Sequence, residues 1–332
     1  MTRSLVIGGT SLIGRPMVET LLARGHDVTV LHRGHGTPFG DRVREVRGDR
    51  NDGDSVRAAV GDDRFDLVFD NVYDFGKGTT AAQVEDTVEV VRHDGLQRYV
   101  FMSSVAVYPD AEGGGLAYDE DHDLVPETEP NLYAVHKAES ERLLGRLGSS
   151  SGLPVTTLRP AFVYGPHNPF DREAFFWDRL LAGRPILIPG DGSRPMKWVH
   201  AEEVARATVR AATAQAGRGR AFNLAAPPIS QLEYVLTLAR VAGVEARPVF
   251  VPRERLVDAG GGLMEPPFYF GVYLDVPPIP VSGERLRREL GYELRGLEPG
   301  LEETFEWYRS QERPAPETVW EDGVLGLSLI HI

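Results

Sequence analysis

Nine residues near the start of the chain, "VIGGTSLIG" at positions 6–14, restrict the fold more than any other stretch. The apolar run Ser4 to Ile7 reads as a strand, and Gly14 to Arg24 carries Met17, Val18, Leu21 and Leu22 at helical spacing until Gly25 stops it. Glycines at such a junction let the chain turn sharply out of the strand at Gly8 and let the helix pack closely on the sheet at Gly14. The middle position brings backbone close to a phosphate at the helix N-terminus. Ser11 stands there, with less conformational freedom than glycine but with a hydroxyl to donate. Taken alone, the turn formed by Gly8, Gly9, Ser11, Leu12, Ile13 and Gly14 describes a dinucleotide cradle and a tight ligand-free connection equally well.

The later apolar runs narrow the choice of architecture. Val28 to Leu31, Val43 to Val46, Leu67 to Phe69, Arg98 to Met102 and Val155 to Leu158 are short and continuous rather than alternating, as strands buried on both faces are. Interleaved with helical patterns, they predict a doubly wound parallel α/β sheet. After about Gly165 the texture shifts to proline, glycine and aromatic residues, which marks a second, smaller domain. The expected division is 1–166 with 198–226 returning to it, then 167–197 and 227–312 as the second domain. The final "LSLIHI" matches the read-through of a common sequencing adapter, so 313–332 is expected to be a disordered or foreign tail.

Composition excludes several function classes. A net charge of −13 repels nucleic acid and anionic lipid, leaving small molecules or further copies of the chain as expected partners. The absence of cysteine removes disulfides, thiolate nucleophiles and Cys-ligated zinc. No apolar stretch is long enough to span a bilayer, and a first strand beginning near Ser4 leaves no room for a signal peptide; a cytoplasmic location is expected. The acidic loop "YDEDHDL" at 118–124 reads as a solvated turn rather than a metal site, and His32 and His35 as exposed turn residues.

Two further stretches add chemistry. "NLYAVHKAESERLL" sets Tyr133 and Lys137 one helical turn apart on one face, and "YVFMSSVAVY" ends a strand at Ser103 and Ser104, on the carboxyl edge where open α/β sheets bind ligands. With these in order behind the glycine turn, the sequence resembles the extended short-chain dehydrogenase/reductases, the NAD(P)-dependent sugar epimerases, dehydratases and reductases. "GGTSLIG", "SSVAVYP", "YAVHK", "LRPAFVYGP" and "GDGSRPMKWVHAEEVA" carry the resemblance from residue 4 to about 310. The nearest branch is usually labelled only epimerase/dehydratase-like, and some of its members bind RNA. The resemblance implies a Rossmann-type sheet, with the smaller C-terminal domain binding substrate.

It also implies roles for residues. Tyr133 would exchange a proton with a substrate oxygen while hydride passes to or from nicotinamide, Lys137 would bond the nicotinamide ribose, and Ser104 would hydrogen-bond the substrate oxygen, with Ser103 structural. A free tyrosine titrates near about 10, so work as a base at neutrality needs about 4 kcal/mol of help, which a lysine some 4 Å away supplies only in a sheltered site. Asp49, Arg50, Asn71 and Ala161 are further expected cofactor contacts. His32 fills the slot where an acidic residue would bind ribose hydroxyls, and Arg33 follows it, which favours NADP, with NAD the alternative. Met196 and Phe162 replace residues common in nucleotide-sugar enzymes, with Arg194 or Lys197 as substitutes, and Phe268, Phe270 and Tyr273 could line an apolar substrate pocket. Val105 and Ala106 after Ser104 disfavour 4,6-dehydration. The alternatives to an enzyme are a non-catalytic NAD(P) sensor and an RNA-binding relative.

Overall fold

A computed structural model describes residues 1–34, 36–110, 117–170, 172–259, 278 and 280–326. The chain forms two compact units, Met1–Val163 with Val199–Ala225 and Ile279–Leu294, and Tyr164–Trp198 with Ala226–Pro278 and Arg295–Ile332.

The first unit alternates strand and helix: β1 (Arg3–Ile7), α1 (Gly14–Ala23), β2 (Asp27–His32), β3 (Arg44–Arg47), α2 (Gly53–Val60), β4 (Leu67–Asp70), α3 (Ala81–Val91), β5 (Arg98–Met102), α4 (Leu132–Ser151) and β6 (Val155–Pro160). A seventh strand, Arg220–Leu224, completes a sheet ordered seventh strand, β6, β5, β4, β1, β2, β3, and every neighbouring pair is parallel. β1 pairs with β2 on one side and β4 on the other, so the order reverses there, and a crevice opens beyond their carboxyl ends.

Apolar layers cover both faces of this sheet. Met17, Val18 and Leu21 of α1 pack with Val204, Ala205, Ala207 and Val209 of the helix Ala201–Thr213. On the other side Val56, Val84, Val88, Leu143 and Leu144 of α2, α3 and α4 close over Leu5, Val68 and Tyr99. Double coverage explains why the inner strands are apolar throughout. β3 departs from that pattern: it begins at Arg44, pairs only with β2, and is half exposed as an edge strand.

Two boundaries are corrected. The helix Glu284–Leu290 belongs to the first unit, where Leu286 and Leu290 join the core beside the strand Arg220–Leu224, and Gly283 lies so close to Ala225 that a Cβ would stand 2.9 Å from its carbonyl oxygen. In the second unit Trp177 of α5 (Arg172–Leu181) donates its indole N–H to the Leu238 carbonyl at 3.1 Å and packs against Phe305 and Tyr308. There the expected tail is structured as far as residue 326. Arg313 pairs with Asp178 at 2.8 Å, and Glu321, on the helix Val319–Leu325, pairs with buried Arg179. Residues 327–332 lie outside the described residues, as do His35, Phe268, Phe270 and Tyr273. Among the described residues no helix is long and apolar enough to cross a membrane.

Candidate active site

The glycine turn leaves β1 at the reversal of strand order. Gly8 adopts φ +84°, and a Cβ there would stand 2.4 Å from Val72 Cγ2. A Cβ at Gly14 would fall 1.9 Å from the Gly8 carbonyl oxygen, so α1 starts directly against the turn. Leu12, at φ +21°, takes up the bend that a glycine would otherwise absorb. Ile13 occupies the cap position of α1 with no side-chain cap, and Ser11 is exposed beside it. No side-chain oxygen of the cap covers the start of α1, where the Arg15 N–H donates to the Ser11 carbonyl at 3.0 Å; a helix start without a capping side chain fits a pyrophosphate. Gly14→Ala should weaken nucleotide binding by at least about tenfold and cost about 1–3 kcal/mol through overpacking, read from titration and thermal melts.

At the end of β4, Asn71 is half-buried and donates its amide N–H to the Gly8 carbonyl at 3.4 Å, bracing the turn. Asp49 accepts the Asn51 main-chain N–H at 2.9 Å, and its carboxylate lies 3.8 Å from Arg33. Arg50 follows Asp49 in the chain and turns inward. Its guanidinium is buried and donates to both oxygens of Asp70 at 3.1 and 2.5 Å, to the Gln83 carbonyl and to Thr87. The side chain is thus committed to the scaffold, and the Arg50 main chain is the part left for a ligand. His32 is a correction: it is buried, accepts the Gly34 N–H on Nδ1, and sets Nε2 3.2 Å from Glu45 across the β2–β3 pair. In the 118–124 loop Asp119, Asp121, His122 and Asp123 are exposed, while Glu120 departs from the solvated turn and is buried against Arg285 at 3.3 Å.

α4 carries the Tyr133 and Lys137 face. Asn131 caps its start by accepting the Ala134 N–H, and Lys137 is buried with its ammonium donating to the Met102 carbonyl at 2.6 Å, at the end of β5. Burial pulls this lysine down from the ordinary 10.5 to about 8, opposed by the charge of Asp70. The same nitrogen lies 4.7 Å from the centre of the Phe101 ring and 5.5 Å from that of Tyr73. Tyr133 is half-buried, its ring edge-on to Tyr73 at 4.7 Å and stacked on Phe75 at 5.6 Å. Tyr73 in turn shares a 3.0 Å hydrogen bond with Nδ1 of His136.

Ser104 follows β5, half-buried, with its hydroxyl oxygen accepting the Ala106 N–H. Ser103 turns inward and donates to Glu141 at 2.5 Å; Glu141 also holds Arg159, so this serine belongs to the scaffold. Ala161 is buried beside Ala134 and Ala138 of α4. Tyr73, Phe75 and His136 escaped the sequence reading. The available signal was the aromatic pair in "NVYDFG" immediately after the β4 strand end.

A buried lysine charge is a burden that function can justify. Its value lies below that of the unfolded chain, so the penalty is full at and below pH about 8 and fades as the pH rises toward the unfolded value. The size of the drop corresponds to about 3 kcal/mol at neutrality, offset in part by about 1–1.5 kcal/mol from the bond to Met102. Lys137→Met should therefore be more stable than the parent by about 1–2 kcal/mol at pH 7, and denaturant melts should show the gap closing near pH 10.

The model of the NAD dependent epimerase/dehydratase family matches residues 4–225. The chain belongs to this family. Among its relatives, the Arabidopsis thaliana chloroplast stem-loop binding protein of 41 kDa b is 29% identical over 66% of this chain, which spans 57% of the plant protein's length. UDP-glucose 4-epimerase of Mycolicibacterium smegmatis is 28% identical over 94% of this chain and 100% of its own. The solved structure of Thermus thermophilus UDP-glucose 4-epimerase in complex with NAD superposes with a TM-score of 0.74 at 24% identity, covering 93% of this chain and 99% of that one. That likeness establishes the Rossmann-type α/β fold.

Proposed function

We propose that this family member is an NAD(P)-dependent oxidoreductase or epimerase acting on a secondary alcohol or ketone of a small, sugar-like molecule. One observation carries the reading: an ammonium, Lys137, is held inside the protein by a strand-end carbonyl, one helical turn from Tyr133 and at the carboxyl edge of the sheet. Such a charge lowers the cost of a phenolate beside it. The turn at Gly8, Gly9, Ser11, Leu12, Ile13 and Gly14 would hold the pyrophosphate, with Asn71 and Asp49 toward the adenosine half. The bound nicotinamide supplies a place for hydride to go to and return from.

The residues divide the remaining work. As an alcohol is oxidised, the Tyr133 oxygen takes the hydroxyl proton; in the reverse direction it returns that proton to the carbonyl oxygen. Lys137 stabilises the ionised phenol and donates toward ribose. The Ser104 hydroxyl donates to the substrate oxygen as charge collects there. Tyr73 and Phe75 hold the Tyr133 ring at a set angle, which favours attack from one geometry. Likeness to the epimerase of Mycolicibacterium smegmatis and to dTDP-4-dehydro-6-deoxy-D-allose reductases of Streptomyces supports a sugar-nucleotide substrate. Met196, buried where an arginine would be expected, favours a less charged one.

The test is incubation of the whole protein with sugar nucleotides and simple ketones, following nicotinamide absorbance and product by NMR. A change in absorbance establishes oxidoreduction, and conversion without it establishes epimerisation. Failure to bind nicotinamide dinucleotide would overturn the reading. Likeness to the plant stem-loop binding protein favours RNA binding as a second reading, opposed by a net charge of −13. A salt-sensitive shift of a stem-loop RNA would decide for it.

A further inference from the structure

We infer that Asp74 sets the dinucleotide preference, by engaging Arg33 and so biasing the site toward NAD over NADP; this rests on the dinucleotide reading above. Arg33 is the residue at the end of β2 that would receive a 2′-phosphate. Its Nη1 lies 2.8 Å from Asp74 and 3.8 Å from Asp49. One cation thus faces two carboxylates, and the local balance is negative before any phosphate arrives.

The geometry shows which partner is fixed. Asp74 Oδ1 accepts the main-chain N–H groups of Gly76 at 2.9 Å and Lys77 at 3.1 Å, while the Asp74 N–H donates to Thr79 and its carbonyl accepts from Gly78. The carboxyl is held below the usual carboxylate range by the Lys77 N–H first and by Arg33 next, so it is ionised at neutral pH. Its side chain is 12% exposed, against 54% for Arg33. The acid is built into the loop after β4, and the arginine is a long stem that leans onto it. A 2′-phosphate seeking Arg33 must displace a preorganised carboxylate and then remain near it, whereas a ribose carrying hydroxyls meets no such repulsion.

Asp74→Asn isolates this effect, because the amide oxygen can still accept the two loop N–H groups while the charge is gone. Affinities of NADPH and NADH for the whole protein, by calorimetry, should show NADPH binding tightened roughly tenfold and NADH changed less than about twofold. Arg33→Ala alone should cost NADPH less than about threefold, since that charge is already neutralised, but roughly tenfold in the Asp74→Asn background. The Arg33→Ala measurement decides the matter even should Asp74→Asn fold poorly. A parent protein that prefers NADPH and loses it about tenfold or more on Arg33→Ala alone would overturn the inference while leaving the enzyme reading intact. Binding of neither nucleotide would remove both.

Discussion

Tyr133→Phe should lower kcat by about a thousandfold while leaving the affinity for nicotinamide dinucleotide within about twofold of the parent. The substitution removes one oxygen and retains the ring, so the packing on Tyr73 at 4.7 Å and Phe75 at 5.6 Å persists and the melting temperature should not move. General acid–base contributions of this kind fall between about a hundredfold and ten-thousandfold, and the upper half of that range applies where no water can replace the proton carrier. Steady-state kinetics with calorimetry separates the two quantities. A protein that only senses the dinucleotide would show the same binding and the same biological output with either residue, and that result would remove Tyr133 from the chemistry.

The largest structural effect should come from Asp70→Asn. Asp70 is fully buried at the end of β4, where it accepts from Arg50 at 3.1 and 2.5 Å and from the Tyr99 hydroxyl at 2.6 Å. Burial and the neighbouring Asp70 charge push the Tyr99 phenol upward, so it stays protonated and serves as a donor. Replacing the carboxylate strands the Arg50 charge inside the protein, which should cost about 3–5 kcal/mol in denaturant melts. Arg50→Met together with Asp70→Leu should recover much of that loss, because a pair of apolar residues leaves no charge unpaired. Since Asp70 directly precedes Asn71 and Val72, which back the glycine turn, the single variant should also lose dinucleotide affinity.

Much of the scaffold was legible because local rules govern it. Continuous apolar runs mark β1, β2, β4, β5 and β6 since each is covered on two faces, and the glycine turn is readable since Gly8 and Gly14 meet backbone and side chain too closely for any Cβ. The spacing of Tyr133 and Lys137 needs only helical geometry to place both on one face. Contacts distant in sequence were not legible in the same way. Nothing near Arg50 in the chain announces that its guanidinium pairs with Asp70, 20 residues away at the end of β4. Leu286 and Leu290 looked like part of the second domain, yet they are buried in the core of the first unit, beside the strand Arg220–Leu224.

The sequence by itself determined the α/β alternation, the phosphate-type turn and the candidate Tyr133, Lys137 and Ser104, because strand burial, glycine conformation and helical repeat act over a few residues. Only the tertiary structure decided which charges are partners. Whether Arg50 and Arg33 face a ligand or a carboxylate depends on Asp70 and Asp74, which β4 and the loop after it bring alongside, and the energy of an ion pair depends on separation and burial in space rather than on distance along the chain.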